Sequence, residues 1–113
     1  EDACRRIVRA MTTFPHLVQP GFACQWMQVS RGGWVVKGGA EGYLGAGGVG
    51  QGIGLAVKNE DGSHRGLPTL VLQVLESLGL LRAEELQALE AHRHPPVLNT
   101  RGERVGEIRI VQG

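Results

Sequence analysis

Apolar positions in the first part of the chain recur at helical spacing. Ala3, Ile7, Ala10 and Met11 fall three and four residues apart, with Asp2 placed as a cap, and this predicts an amphipathic helix over 2–13 ended by Pro15. A weaker pattern over 21–31 (Phe22, Cys24, Trp26, Met27, Val29) predicts a second short helix closed by Gly32 and Gly33. The period then changes to two. Residues 34–37 read as a strand, as do 51–58, where Ile53, Leu55 and Val57 alternate, and the two are expected to form an antiparallel hairpin. The glycine-rich run between them, 42–54, is expected to be a flexible hairpin loop.

Helical spacing returns after the Asp61-Gly62 turn. Leu67, Leu70, Val71, Val74, Leu75 and Leu78 form one apolar stripe within 64–81, and Pro68 sits in the first turn, where its missing N–H costs nothing. A further helix over 81–90 points Leu86 and Leu89 inward and carries Glu84 and Glu85 early, where the helix dipole favours acid. Pro95 and Pro96 stop it. A turn at Arg101-Gly102 leads into a closing strand over 105–111, with Ile108 and Ile110 on one face. Helix, strand, strand, helix, helix, strand implies an α+β fold with a mostly antiparallel sheet and flanking helices.

Composition narrows the function classes. A chain of 113 residues, 42% apolar and 20% charged, suits one small globular domain, taken here as 1–113. The aromatic residues are Phe14, Phe22, Trp26, Trp34 and Tyr43, so the core is expected to be aliphatic. The formal charge of +1 is spread among mixed signs, which argues against a nucleic-acid partner. No apolar stretch spans a bilayer and no leader pattern opens the chain, so the expected location is cytoplasmic. Cys4 and Cys24 are too few for a disulfide framework and are expected to be free thiols. The chain starts with Glu1 and runs at once into a helix, which reads as a piece of a longer protein.

One segment stands apart chemically. In 35–42, Lys37 leaves a strand directly into Gly38, Gly39 and, past Ala40 and Glu41, Gly42. The glycines let the backbone approach a bound molecule, and their N–H groups can meet negative charge developing on a carbonyl oxygen. In serine amidohydrolases of the β-lactamase type, a strand carrying Lys, a small residue and Gly borders the acyl site; the plainer alternative is a surface lysine before a turn. Gly45, Gly47 and Gly50 match a dinucleotide spacing, but a strand rather than a helix is expected to follow, so that reading is set aside. His92 and His94 lack the acidic or thiol partners of a metal site and read as a solvated helix end. Glu41 and Asp61 could act as acid and base, though turn roles suit them better.

These residues resemble the L-asparaginase II family of the thermolabile, rhizobial type. The resemblance rests on Asp2-Ala3-Cys4, on Ala10-Met11 followed by Pro15 and Val18, and on Lys37-Gly38-Gly39-Ala40-Glu41-Gly42. It continues through 52–58, Glu60-Asp61-Gly62 with Arg65, and Val105-Gly106-Glu107-Ile108-Arg109. It implies hydrolysis of L-asparagine to L-aspartate and ammonia on a partial β-lactamase/glutaminase-like domain. The chain would be the C-terminal part of the enzyme. Lys37 would be catalytic, beside a serine supplied by the upstream part of the same chain, with Gly38, Gly39 and Glu41 binding the substrate. No cofactor is expected within these residues; the family's zinc and its Ser-x-x-Lys segment would lie upstream, and Cys4 and Cys24 do not match the zinc ligands. The segment alone is expected to be inactive. Between Val18 and Met27 the family has a glycine, an arginine and an Asp-Thr pair, where this chain reads Gln-Pro-Gly-Phe-Ala-Cys-Gln-Trp. The alternatives are a non-catalytic or divergent binding or assembly module of the same fold, and a domain that forms homodimers through an exposed sheet edge.

Overall fold

The computed structural model describes residues 2–111. The chain divides into two compact units, residues 1–64 and 65–113. The first opens with helix α1 (Asp2–Thr13). Asp2 lies inside its first turn rather than before it, where its charge still suits the dipole. The residue before a proline is steered out of the helical region, and Phe14 (φ −124°, ψ 58°) duly breaks the helix. Pro15 then starts the single-turn α2 (Pro15–Val18). The apolar stripe of α1 is real, but no described residue of this helix is buried, and Ile7 and Phe14 are 59% and 50% exposed.

Helix α3 (Phe22–Val29) confirms the weak pattern, with Phe22, Ala23, Cys24, Trp26 and Met27 all buried. It packs against strand β1 (Trp34–Gly39), where the rings of Trp26 and Trp34 lie 5.0 Å apart. The core here is thus built on two tryptophans as well as the expected aliphatic residues.

The expected two-stranded hairpin is corrected. The glycine run supplies a middle strand, β2 (Tyr43–Gly48), between β1 and β3 (Ile53–Lys58), so the sheet is three-stranded and antiparallel in the order β1-β2-β3. Glycine is a poor strand former, which is why the run reads as a loop. Its backbone is nonetheless paired on both sides: Lys37 lies opposite Gly45, and Gly45 opposite Ala56. The alternation of faces places Trp34, Val36 and Leu44 on the buried side, and Lys37, Tyr43, Gly45 and Lys58 on the other.

In the second unit, α4 (Leu67–Ser77) buries Leu67, Val71, Leu72 and Leu75, with a proline in its first turn as the stripe predicts. Helix α5 (Ala83–Ala88) is shorter than expected and continues into a 3₁₀ turn, Glu90–His92. Leu89 is fully buried while Leu86 is half-buried, and Glu85 is buried with them. The expected closing strand is the shorter β5 (Arg104–Glu107); Ile108 and Ile110, expected in it, lie beyond its end. It pairs antiparallel with β4 (Pro96–Leu98), a strand that its proline and three-residue length conceal in the sequence. The turn between them is held by the Asn99 side chain, which accepts from the N–H of Arg101 (2.9 Å) and of Glu103 (3.0 Å). The architecture is α+β, with an antiparallel three-stranded sheet, a second small sheet and flanking helices.

Candidate functional site: the free edge of strand β1

Among the described residues strand β1 has a neighbouring strand on one side only, so every second residue turns its N–H and C=O to the other edge. Gly38 is such a residue. Its N–H donates to Oε1 of the Gln19 side chain at 2.6 Å, which marks the Gly38–Leu44 pair as the non-hydrogen-bonded kind. The carbonyl of Gly38 shares that direction, and Lys37 Nζ folds back to donate to it at 2.6 Å. One exposed ammonium and one backbone donor therefore meet on the same edge residue.

At position 38 glycine admits a close approach, and its backbone angle does not call for it. A Cβ there would stand 2.7 Å from Nε2, 3.0 Å from Oε1 and 3.3 Å from Cδ of Gln19, so the carboxamide meets the bare α-carbon with its N–O edge. Gly39 serves a different purpose on the other face: its missing Cβ leaves room for the Tyr43 ring, which would sit 2.8 Å away. The Tyr43 hydroxyl crosses Gly45, directly opposite Lys37, so an aromatic plate covers the glycines beside the lysine.

Glu41 occupies the β1–β2 turn with left-handed backbone, φ 62°, an uncommon state for a residue with a Cβ. The turn is clamped to the segment after β3. Asn59 N–H donates to the Gly42 carbonyl at 2.8 Å, and Lys58 Nζ bridges the carbonyls of Glu41 and Asn59. Asp61 caps the neighbouring turn by accepting from Ser63 N–H at 2.9 Å. The structure thus brings the Glu41 turn and the Asp61 turn together, each carboxylate on a turn as their sequence context favours.

Two of the three serines lie elsewhere, and the third sits in the turn beside Gly42. Ser30 is buried and donates to the Met27 carbonyl (3.1 Å), and Ser77 donates to the Gln73 carbonyl (2.8 Å); Ser63 belongs to the Asp61 turn. Gly45 and Gly47 lie within β2 and a strand follows, so the dinucleotide geometry does not form. His92 is half-buried in the 3₁₀ turn, its carbonyl accepting from the Thr69 hydroxyl at 2.9 Å, and burial pushes its pKa below the usual value; His94 is exposed. Among the described residues no three His, Cys, Asp or Glu side chains gather to hold a metal; Cys4 is exposed and Cys24 is buried on α3. No described helix is long and apolar enough to cross a membrane.

Two contributors to this edge escape sequence reasoning. Gln19 has no motif around it, and nothing in its spacing points to Gly38. Tyr43 does leave a trace: an aromatic residue two positions before a glycine on one strand face is the pattern of a ring laid over a bare backbone. A model of the family described as L-asparaginase II matches residues 1–110. The chain belongs to the L-asparaginase II family. A comparison with curated proteins returned no match. Membership carries an asparaginase-type amidohydrolase function at the level of the family, with asparagine as the implied substrate.

Proposed function

We propose that these residues are the C-terminal part of an amidohydrolase that converts L-asparagine to L-aspartate and ammonia, on a β-lactamase-like fold, with Lys37 in its catalytic apparatus. The observation that supports the reading is the convergence of Lys37 Nζ and the Gly38 N–H, the latter held by Gln19, on one strand edge. Hydrolysis of a carboxamide passes through a tetrahedral oxyanion, and a fixed backbone donor beside a cation is the arrangement that stabilises it. In this reading the Lys37 ammonium holds positive charge beside a serine supplied by the upstream part of the chain, where the oxyanion forms. Gly38 and Gly39 let the substrate lie against the backbone, and Glu41 offers its exposed carboxylate to the substrate's α-amino group. Ser30 and Ser77 are bonded to their own helices and Ser63 belongs to the Asp61 turn, which favours an upstream nucleophile. The zinc that the resemblance implies would be held by upstream residues, since among the described residues Cys4 and Cys24 belong to no group of three metal ligands. We place the protein in the cytoplasm and allow its homodimer to form through a sheet edge.

The test is ammonia release from L-asparagine by the isolated residues 1–113 and by the longer parent protein. The parent is expected to turn over and the isolated segment to release nothing. Ammonia release by the segment alone would contradict the division of labour; inactivity of both would favour a binding or assembly module.

A further inference from the structure

Gln19 ends in a primary carboxamide, the same group that an asparagine amidohydrolase must bind. Its oxygen takes the Gly38 N–H at 2.6 Å, and its nitrogen and carbonyl carbon would lie 2.7 and 3.3 Å from a Cβ at that position. The N–O edge of the carboxamide thus faces an α-carbon that carries no side chain. Lys37 Nζ is bound one atom group away, to the carbonyl of the same residue. Gln19 approaches from the segment between α2 and α3 and is half-buried, while its contact is made with the flexible end of its side chain, so it can withdraw without moving backbone.

From this geometry we infer that Gln19 is a specificity-determining residue: its own carboxamide occupies the substrate-amide subsite at Gly38 in the free protein and competes with substrate for it. The inference rests on the amidohydrolase reading of the same edge. A substrate carboxamide gains the Gly38 donor only by displacing an equivalent group, whereas an apolar ligand offers that donor nothing in exchange. The subsite therefore favours carboxamides over apolar groups. Competition acts on the free protein alone, so it raises KM and leaves kcat untouched. One hydrogen bond exchanged in this way is worth about a 2- to 10-fold change in apparent affinity.

The experiment uses the full-length protein with Gln19→Ala and Gln19→Glu, assayed for ammonia release from L-asparagine. Removing the competitor in Gln19→Ala is expected to lower KM by about 2- to 10-fold at unchanged kcat. Gln19→Glu keeps the volume and offers a stronger acceptor, so its KM is expected to rise, and it carries the test should the alanine variant not fold. An unchanged or raised KM in Gln19→Ala, or a fallen kcat, overturns the inference and makes Gln19 a strut for the strand. A second readout separates this from failure of the amidohydrolase reading: the Gly38 amide resonance, in glycine-labelled protein titrated with acetamide. The resonance is expected to respond at lower acetamide concentration in Gln19→Ala than in wild type, whether or not asparagine is turned over. A resonance that acetamide leaves unmoved in both proteins overturns the inference independently of activity.

Discussion

Replacing Gly38 by alanine separates stability from function more sharply than any other change at the β1 edge. The added methyl would lie 2.7 Å from Gln19 Nε2, 3.0 Å from Oε1 and 3.3 Å from Cδ, all at the far end of a side chain. Gln19 therefore yields and the sheet does not. The loss is the hydrogen bond to the Gly38 N–H, about 0.5–1.5 kcal/mol net. Against it stands the reduced freedom of the unfolded chain when glycine becomes alanine in a strand, about 0.5–1 kcal/mol in favour of folding. Position 38 has no positive φ to oppose the substitution. The two terms nearly cancel, so denaturant unfolding should find Gly38→Ala within about 1 kcal/mol of wild type. Asparagine turnover by the full-length protein should nevertheless fall at least about tenfold, because the methyl fills the place where a carboxamide meets the backbone. Gly42→Ala is the control: φ is +69° and the new Cβ would run into the Ser63 carbonyl and stand 2.9 Å from the Gly62 carbonyl carbon. Both obstacles are backbone, and the left-handed conformation alone costs about 1–2 kcal/mol. A Gly38→Ala protein as destabilised as Gly42→Ala, or one with undiminished turnover, would refute the reasoning.

Three further outcomes are expected. Glu41→Gly should stabilise the fold by about 1 kcal/mol, read by thermal unfolding, because glycine adopts φ 62° without strain, while KM for asparagine rises; a drop in stability would show that the Glu41 side chain holds the turn. Arg82→Ala should lower Tm more than Glu85→Leu. Glu85 is 4% exposed and binds Arg82 Nε through Oε1 at 2.5 Å, and that hydrogen bond raises the guanidinium pKa. Its Oε2 has no partner among the described residues, so removing Arg82 strands a buried carboxylate, whereas leucine removes the charge; the opposite order of Tm would contradict this. Burial lowers the His92 pKa beneath its usual 6.5, so the unfolded chain protonates first on acidification. The resulting stability is fully present above about pH 6.5 and is lost as pH falls through the folded value. His92→Gln should flatten Tm against pH in that window, and a slope identical to wild type would exclude His92 as its source.

Much of this fold was legible where burial and periodicity agree. The stripe from Leu67 to Leu75 shows as α4 because one face of it is buried, and Pro68 and the acids at 84 and 85 mark helix starts by their own chemistry. The middle strand was hidden because its identity lies in its neighbours: Gly45, Gly47 and Gly48 form β2 only because β1 and β3 pair with them and Tyr43 covers the bare backbone. Strand β4 is likewise defined by its partner rather than by Pro96, Val97 and Leu98 themselves. At the candidate site, Lys37 and its glycines announce themselves by type and order. Gln19 does not, since it acts across nineteen positions of sequence through a single hydrogen bond that only the packing of α3 on β1 makes available.

The central claim is that the cation at the β1 edge takes part in amide hydrolysis. It is tested most directly by ammonia release from L-asparagine in the full-length protein carrying Lys37→Met, a change that keeps the bulk of the side chain and removes its charge. The account predicts kcat/KM lower by about two orders of magnitude or more, with unfolding behaviour retained, because the lysine is exposed and its ammonium is held at the strand edge by the Gly38 carbonyl. Turnover within a few-fold of wild type would contradict it.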